Sequence, residues 1–192
     1  TAILSHGDHD GVTITLNADG TAIPDEDYQV SPSFEITIPA GETRGMITLT
    51  GIDNDSVEAE QTVILKIEEI SGAEVGSPSH VTATINDDDT FPSVILNAET
   101  DVLDEKSGTA TITAVLSHET GDDVTLFLNL EGTAEPDTDY QISPSDSLTI
   151  PAGETEGMIT LISMDDYSVE GDEMILILIS DVSGGILGTP SE

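Results

Sequence analysis

The stretch that decides the fold is Leu4–Ala22 (LSHGDHDGVTITLNADGTA), because it recurs as Leu116–Ala134 (LSHETGDDVTLFLNLEGTA). The correspondence continues without a gap through later segments: Pro24–Gln29 with Pro136–Gln141, and Ile38–Thr43 with Ile150–Thr155. Self-similarity of this length is the signature of duplicated structural units. The chain is therefore predicted to hold two copies of one domain, at residues 1–90 and 91–192.

Neither copy is complete in this register. Residues 93–115 of the second copy have no counterpart before Thr1, and His80–Asp89 has none after Glu192. We therefore expect the first copy to lack its opening strand and the second to lack its closing strand. Pro92, beside an acidic run, marks the boundary between them.

Short runs in which apolar and polar residues alternate indicate that these domains are built from strands, not helices. Val12–Leu16 (VTITL), Phe34–Ile38 (FEITI) and Val81–Ile85 (VTATI) alternate apolar and polar residues, which predicts half-buried strands. We expect further strands at Met46–Leu49, Val63–Ile67, Val94–Leu96, Ala110–Leu116, Val124–Leu128, Leu148–Ile150, Met158–Leu161 and Met174–Ile179. With turn residues between them, this is the pattern of an all-β chain of two tandem antiparallel β-sandwiches, of about seven strands in a complete domain.

The charge is extreme: 39 acidic residues face 3 basic ones, for a formal net charge of −36. Nucleic acid and anionic membranes would be repelled, so neither is expected as a partner and no membrane insertion is expected. The absence of cysteine excludes disulfides, thiolate metal sites and thiol nucleophiles. Self-repulsion on this scale is relieved where cations gather between converging carboxylates, although a simply solvated acidic coat is also consistent with it.

The motifs of the repeat follow a fixed order: Gly-Thr-Ala, Asp-Tyr, Ile-Pro-Ala-Gly-Glu, an acidic loop with Val-Glu, Ser-Gly and Asp-Asp-Asp. This order resembles that of the Calx-beta domain. The resemblance covers essentially the whole chain, twice. It implies an immunoglobulin-like sandwich of the kind found in sodium/calcium exchangers, an integrin beta subunit and large bacterial surface proteins. It also implies calcium as the bound ion, since some members bind it at one end of the domain.

The resemblance further implies which residues would coordinate calcium, which needs six to eight hard oxygen ligands from several loops. In the second copy the matching positions are Glu105, Asp139, Asp165, Asp166, Glu170 and Glu173. In the first copy they are Asp27, Asp53, Glu58, Asp87, Asp88 and Asp89. Asn54 and Gln61 replace two acids there, so weaker binding is expected. The alternative is that these acids are only solvated loop charges or strand-edge charges that deter aggregation.

Other chemistries fit less well. The segment Asp53–Ile64 does not match an EF-hand calcium loop, because it lacks the glycine at its sixth position and the acid at its twelfth. The histidines offer no helical pair for zinc. Glycosidases do use paired carboxylates, but the same acids in duplicated domains favour ion binding over a single active site. No catalytic motif is present, so an enzyme is not expected.

These observations predict a non-catalytic, calcium-binding tandem segment of a large extracellular or cell-surface adhesion protein, with calcium stiffening the array at the domain ends and junction. Neighbouring repeats or other copies of the same protein are the expected partners, with an unknown surface ligand as a further possibility. The alternative is a structural filament or matrix repeat assembled head-to-tail by strand exchange, with calcium incidental. The filament alternative depends on the unpaired sheet edges that the missing strands would leave.

Overall fold

The computed structural model describes residues 1–7, 10–165, 169 and 171–188, in which all the regular structure is β. No helix long and apolar enough to cross a membrane occurs in these ranges. Two compact units are present: Thr1–Asn54 with Glu58–Asp88, and Asp55–Val57 with Asp89–Glu192.

The strands of the first unit are β1 (Ala2–Ile3), β2 (Val12–Gly20), β3 (Tyr28–Ser31), β4 (Glu35–Ile38), β5 (Arg44–Gly45), β6 (Thr48–Gly51), β7 (Gln61–Ser71) and β8 (His80–Ile85). Those of the second unit are β9 (Ser93–Ala98), β10 (Thr109–Leu116), β11 (Val124–Gly132), β12 (Tyr140–Ser143), β13 (Ser147–Ile150), β14 (Glu156–Ser163), β15 (Ile175–Ser183) and β16 (Ile186–Leu187).

In the first unit an antiparallel sheet runs in the order β4-β2-β7-β8, accompanied by the pairs β3-β6 and β1-β5. Val12 lies opposite Ile38 and Ile14 opposite Ile36, and all four side chains are buried. The threonines between them face the other side of the sheet, as a period of two requires. Each such aliphatic side chain contributes about 1.5–3 kcal/mol to stability on full burial.

In the second unit a three-stranded sheet, β13-β11-β15, faces a five-stranded sheet, β12-β14-β10-β9-β16. Every second residue of β10 is buried, from Ala110 to Leu116. These residues pack in one core with Leu126 and Ile150 of the opposite sheet and with Ile159 beside them. Apart from the parallel pair β9-β16, the ladders are antiparallel. The all-β, tandem-sandwich architecture predicted from the alternation is confirmed.

One predicted strand differs in detail. Met46–Leu49 was expected to be continuous, but β5 ends at Gly45 and β6 begins at Thr48. Its counterpart in the second unit, β14, is unbroken because β10 pairs with it from Thr109 to Val115. Among the described residues of the first unit, β5 pairs with Ala2 and Ile3, and this ladder stops before Met46 and Ile47.

Candidate metal centre

Two equivalent turns position Asp27 and Asp139. Asp27 Oδ2 accepts a 2.6 Å hydrogen bond from the Ile23 amide, while its own amide donates to the Ile23 carbonyl at 2.9 Å. Asp139 makes the same two bonds with Glu135. A carboxylate that folds back onto its own turn is the behaviour that favours Asp at such positions. Both predicted ligands therefore also have a structural role that the sequence analysis did not assign.

The tyrosine after each of these aspartates anchors the turn in the core. Tyr28 and Tyr140 are 2% and 3% exposed. Burial raises the pKa of the Tyr28 phenol, and the nearby Asp25 carboxylate adds to that increase. Burial likewise raises the pKa of Tyr140, with smaller contributions from Asp137 and Asp139. Each Asp-Tyr pair thus places a carboxylate directly beside a buried, neutral ring.

The same turns are tied to the strand ends that precede the acidic loops. The Ile52 amide donates to the Asp27 carbonyl at 2.9 Å, and the Met164 amide donates to the Asp139 carbonyl at 2.8 Å. Ile52 follows β6 and precedes Asp53. Met164 follows β14 and precedes Asp165. Each unit therefore brings its predicted turn ligand and the start of its acidic loop to the same end.

In the first unit the acidic loop also meets the segment after β8. The Glu58 amide donates a 2.8 Å hydrogen bond to Asp87 Oδ2. Asn54 Nδ2 donates to Glu58 Oε2 at 3.3 Å. An acid at position 54 could not make this bond, because an ionised carboxylate has no proton to donate. The substitution of Asn54 for an acid therefore removes one negative charge and adds a local contact.

Gln61, the other departure from the acidic pattern, has a buried side-chain oxygen, Oε1, that meets no hydrogen-bond donor within the described residues. It begins β7 and lies opposite Ile85 of β8, two residues before Asp87. Buried polar atoms are nearly always satisfied, and one that is not points to an unseen water or ion. Its chemistry suits a hard cation, since amide oxygens are common calcium ligands.

In the second unit the turn Asp104–Gly108 carries Glu105. Ser163, the last residue of β14, donates through Oγ to the Asp104 carbonyl at 2.7 Å and accepts from the Gly108 amide at 2.7 Å. This links the Glu105 turn to the strand end two residues before Asp165. Glu173, just before β15, lines a cavity of about 580 Å³ together with Asp101 and Asp172.

The remaining predicted ligands are not assembled into a coordination shell. Asp166 and Glu170 lie outside the described residues. Asp88 is grouped with the first unit and Asp89 with the second. Within residues 1–7, 10–165, 169 and 171–188, no three acidic or histidine side chains lie close enough together to hold a metal ion as placed. The structure thus brings the predicted loops to the same end of each unit without closing their carboxylates around one point.

The acidic charge is almost uncompensated by protein cations. Lys66 forms an ion pair with Asp19, and both side chains are about half exposed. The Lys66 ammonium, through its hydrogen bond and its charge, lowers the pKa of Asp19. Dissolved cations must therefore supply most of the compensation for the net charge of −36.

Together these features define a class: tandem β-sandwich repeats whose strand-end loops are acidic and tied to one another by hydrogen bonds. The family model of the Calx-beta domain matches residues 8–89 and again 87–191. The chain belongs to the Calx-beta domain family, as the order of its motifs indicated.

Adhesion G-protein coupled receptor V1 of Danio rerio is 25% identical over 193 residues, covering 96% of this chain. The chain spans only 3% of that receptor's length. Two solved structures are similar. CBD12 from CALX1.2 shows 19% identity over 85% of this chain and 68% of its own, with a TM-score of 0.39. The calcium binding domain CBD12 of CALX1.1 shows 17% identity over 98% and 74%, with a TM-score of 0.40.

Proposed function

We propose that this chain is a non-catalytic, calcium-binding tandem segment of a large extracellular surface or adhesion protein. The observation that carries the proposal is the set of hydrogen bonds at one end of the first unit. There Asp27 is joined to the start of the Asp53 loop, and Glu58 of that loop is joined to Asp87. Membership of the Calx-beta family supports it.

Calcium would be held by oxygen atoms from loops that the fold brings to the same end of each unit. In the first unit these atoms belong to Asp27, Asp53, Glu58 and Asp87, and the buried Gln61 Oε1 at the start of β7 is a further candidate. In the second unit Glu105, Asp139, Asp165 and Glu173 supply the equivalent donors, together with the predicted ligands Asp166 and Glu170. Bound calcium would offset the repulsion among these carboxylates and restrict the loops that carry them, which would stiffen the array.

The location follows from the same reasoning. The similarity to an adhesion receptor and the strongly acidic composition favour an extracellular or cell-surface protein, with neighbouring repeats as partners. In this role the domains act as spacers or adhesion modules, and catalysis has no part.

Thermal unfolding in calcium and in magnesium, at fixed ionic strength, tests the calcium proposal. Calcium is expected to raise Tm, because a ligand that binds only the folded state adds about 2.7 kcal/mol at a hundredfold excess over Kd. Magnesium is expected to raise it less, since it requires a small, rigid octahedral site and retains its waters. A Tm that millimolar calcium leaves unchanged would refute calcium binding and leave the solvated acidic coat as the explanation of the charge.

A further inference from the structure

A cavity of about 530 Å³ lies beside β12, the last strand of the five-stranded sheet in the second unit. Its apolar wall includes Leu130, Tyr140, Ile142 and Ile162. Tyr140 is buried, Leu130 and Ile142 are partly buried, and Ile162 is 43% exposed. A concave, largely apolar surface with a few polar groups is the usual form of a ligand site. This recess, the β12 cavity, is therefore a candidate binding site.

The first unit shows which side chain belongs at this place. The Leu128 amide donates to the Asp146 carbonyl at 2.8 Å, and the Leu16 amide donates to the Phe34 carbonyl at 2.8 Å. Asp146 and Phe34 therefore occupy equivalent positions. The Phe34 side chain packs against the core cluster that contains Tyr28. Asp146 instead lines the β12 cavity, so the second unit has a short carboxylate where the first has an aromatic ring.

The neighbouring positions have changed with it. Ile142 stands where the first unit has Val30, and Leu130 stands where it has Ala18. The second unit thus presents more apolar surface here, while Asp146 is absent from its core cluster and leaves that surface partly open. An aromatic ring supplied from outside would bury it, because aromatic side chains remove large apolar areas from water.

The charge around the cavity favours a cation beside that ring. Asp137 and Asp146 both line the cavity and are exposed, and its described lining includes no lysine or arginine. Asp146 occupies the position from which the Phe34 side chain extends in the first unit. A ring bound in the cavity would therefore have its own attachment point near the Asp146 carboxylate, where a positive group is attracted and a negative group is repelled.

We propose that the β12 cavity binds an aromatic side chain next to a lysine or arginine, presented by a partner protein. The ring takes the place that Phe34 fills in the first unit, and the basic group faces Asp146 and Asp137. Apolar burial supplies affinity, and the two carboxylates select among aromatic residues by the charge of their neighbours. The proposal goes beyond calcium binding, because it names the chemistry of a protein ligand.

A second copy of this chain is a poor source of such a segment. Its net charge of −36 opposes self-association. None of its three basic residues is adjacent to an aromatic residue in the sequence: Arg44, Lys66 and Lys106. A basic partner is attracted by the same charge that repels a second copy.

The test titrates the intact 192-residue protein, in chelator, with the capped tripeptide Lys-Phe-Lys while methyl NMR spectra are recorded. Ring currents from the bound phenylalanine are expected to shift the methyl resonances of Ile142 and Leu130. The methyls of Val30, whose equivalent place is already filled by Phe34, should not move. Because no calcium is present, failure of this test and failure of calcium binding are separate results.

Two further peptides separate the ring from the charge. The capped tripeptide Lys-Ala-Lys keeps both charges and should bind about tenfold more weakly or worse, because the buried ring is lost. The capped tripeptide Glu-Phe-Glu keeps the ring and should produce no shift, because its carboxylates meet those of Asp137 and Asp146.

Substitutions at Asp146 test the site from the protein side. Asp146→Asn should weaken Lys-Phe-Lys binding about fivefold, since it removes one attractive charge. Glu156→Gln removes the same charge from an exposed position of β14 outside the cavity lining and should leave the affinity nearly unchanged. Asp146→Phe restores the residue of the first unit. It should shift the Ile142 methyl without peptide and weaken peptide binding at least about tenfold.

Three results would overturn the proposal. The first is equal binding of Lys-Phe-Lys and Lys-Ala-Lys, which would reduce the interaction to general attraction by an acidic protein. The second is binding that leaves the methyls of Ile142 and Leu130 unmoved. The third is an equal loss of affinity in Asp146→Asn and Glu156→Gln, a comparison that decides the matter even if Asp146→Phe fails to fold.

Discussion

The main-chain amide of Glu58 donates a 2.8 Å hydrogen bond to Asp87 Oδ2, joining two acidic segments 29 residues apart in the chain. Two segments that each carry negative charge would separate in the absence of such a contact. A hydrogen bond from a neutral amide to a carboxylate is among the stronger kinds in proteins. It holds this part of the candidate metal centre together before any cation is bound.

Asp87→Ala should therefore destabilise the first unit by about 0.5–1.5 kcal/mol, because the bond is exposed to solvent. Urea unfolding measures this loss, and faster hydrogen exchange at the Glu58 amide locates it. Asp88→Ala removes the same charge from an exposed neighbour and serves as the control. If the two variants were equally stable, the bond would contribute nothing.

Gln61→Glu tests the unsatisfied oxygen at the start of β7. Without calcium the variant should lose about 1–3 kcal/mol, because a carboxylate would replace a buried amide that already lacks a donor. With calcium the loss should shrink or reverse, since the added charge makes a better ligand. Gln29→Glu, at an exposed position of β3, controls for the extra charge. The same response to calcium in both variants would remove Gln61 from the site.

The two units should differ in calcium affinity. Asp165→Asn and Glu173→Gln are each expected to weaken calcium binding more than Asp53→Asn does, because the second copy has the fuller set of acids. Isothermal calorimetry measures the affinities, and Glu68→Gln, an exposed acid within β7, is the control. Equal effects of the three site variants would show that Asn54 and Gln61 cost the first unit no affinity.

Two substitutions separate the effect of the hydrogen bond that Asp27 accepts in its turn from the effect of its negative charge. Asp27→Ala removes the acceptor of the 2.6 Å bond from the Ile23 amide and leaves that amide without a partner, so a loss of about 1–3 kcal/mol is expected. Asp27→Asn retains an oxygen that can accept the bond and should lose less. Chemical denaturation in chelator measures both. Equal losses would indicate that the charge, rather than the acceptor, stabilises the turn.

Stability should depend on alkaline pH through Tyr28 and Tyr140. Their pKa values are raised from the ordinary 10.0, chiefly by burial, so the folded state retains these protons longer than the unfolded state. This contribution is complete below pH 10 and is lost as pH rises through the folded-state values. The urea concentration at the midpoint of unfolding should stay constant from neutral pH to pH 10 and fall above pH 10. Tyr28→Phe should reduce the fall, and an unchanged pH profile would contradict this account.

Much of this molecule follows from local pattern. The alternation in Val12–Leu16 and Ala110–Leu116 predicted strands that the structure contains, because a period of two places every second side chain on a buried face whatever the partner strand is. The short strands Tyr28–Ser31 and Tyr140–Ser143 were not predicted, since four residues after a turn carry too little alternation. They exist because each pairs along its whole length with another strand, β6 or β14.

Some features of the candidate site likewise follow from the sequence, and others depend on the tertiary structure. The sequence by itself determined the repeat, the acidic excess and the family, all of which depend on residue identity and order. Tertiary structure alone decided that Glu58 meets Asp87, that Gln61 Oε1 is buried without a donor among the described residues, and that β8 pairs with β7. These relationships join residues distant in the chain. Side-chain burial and strand pairing arise only when the whole chain folds, so no local pattern encodes them.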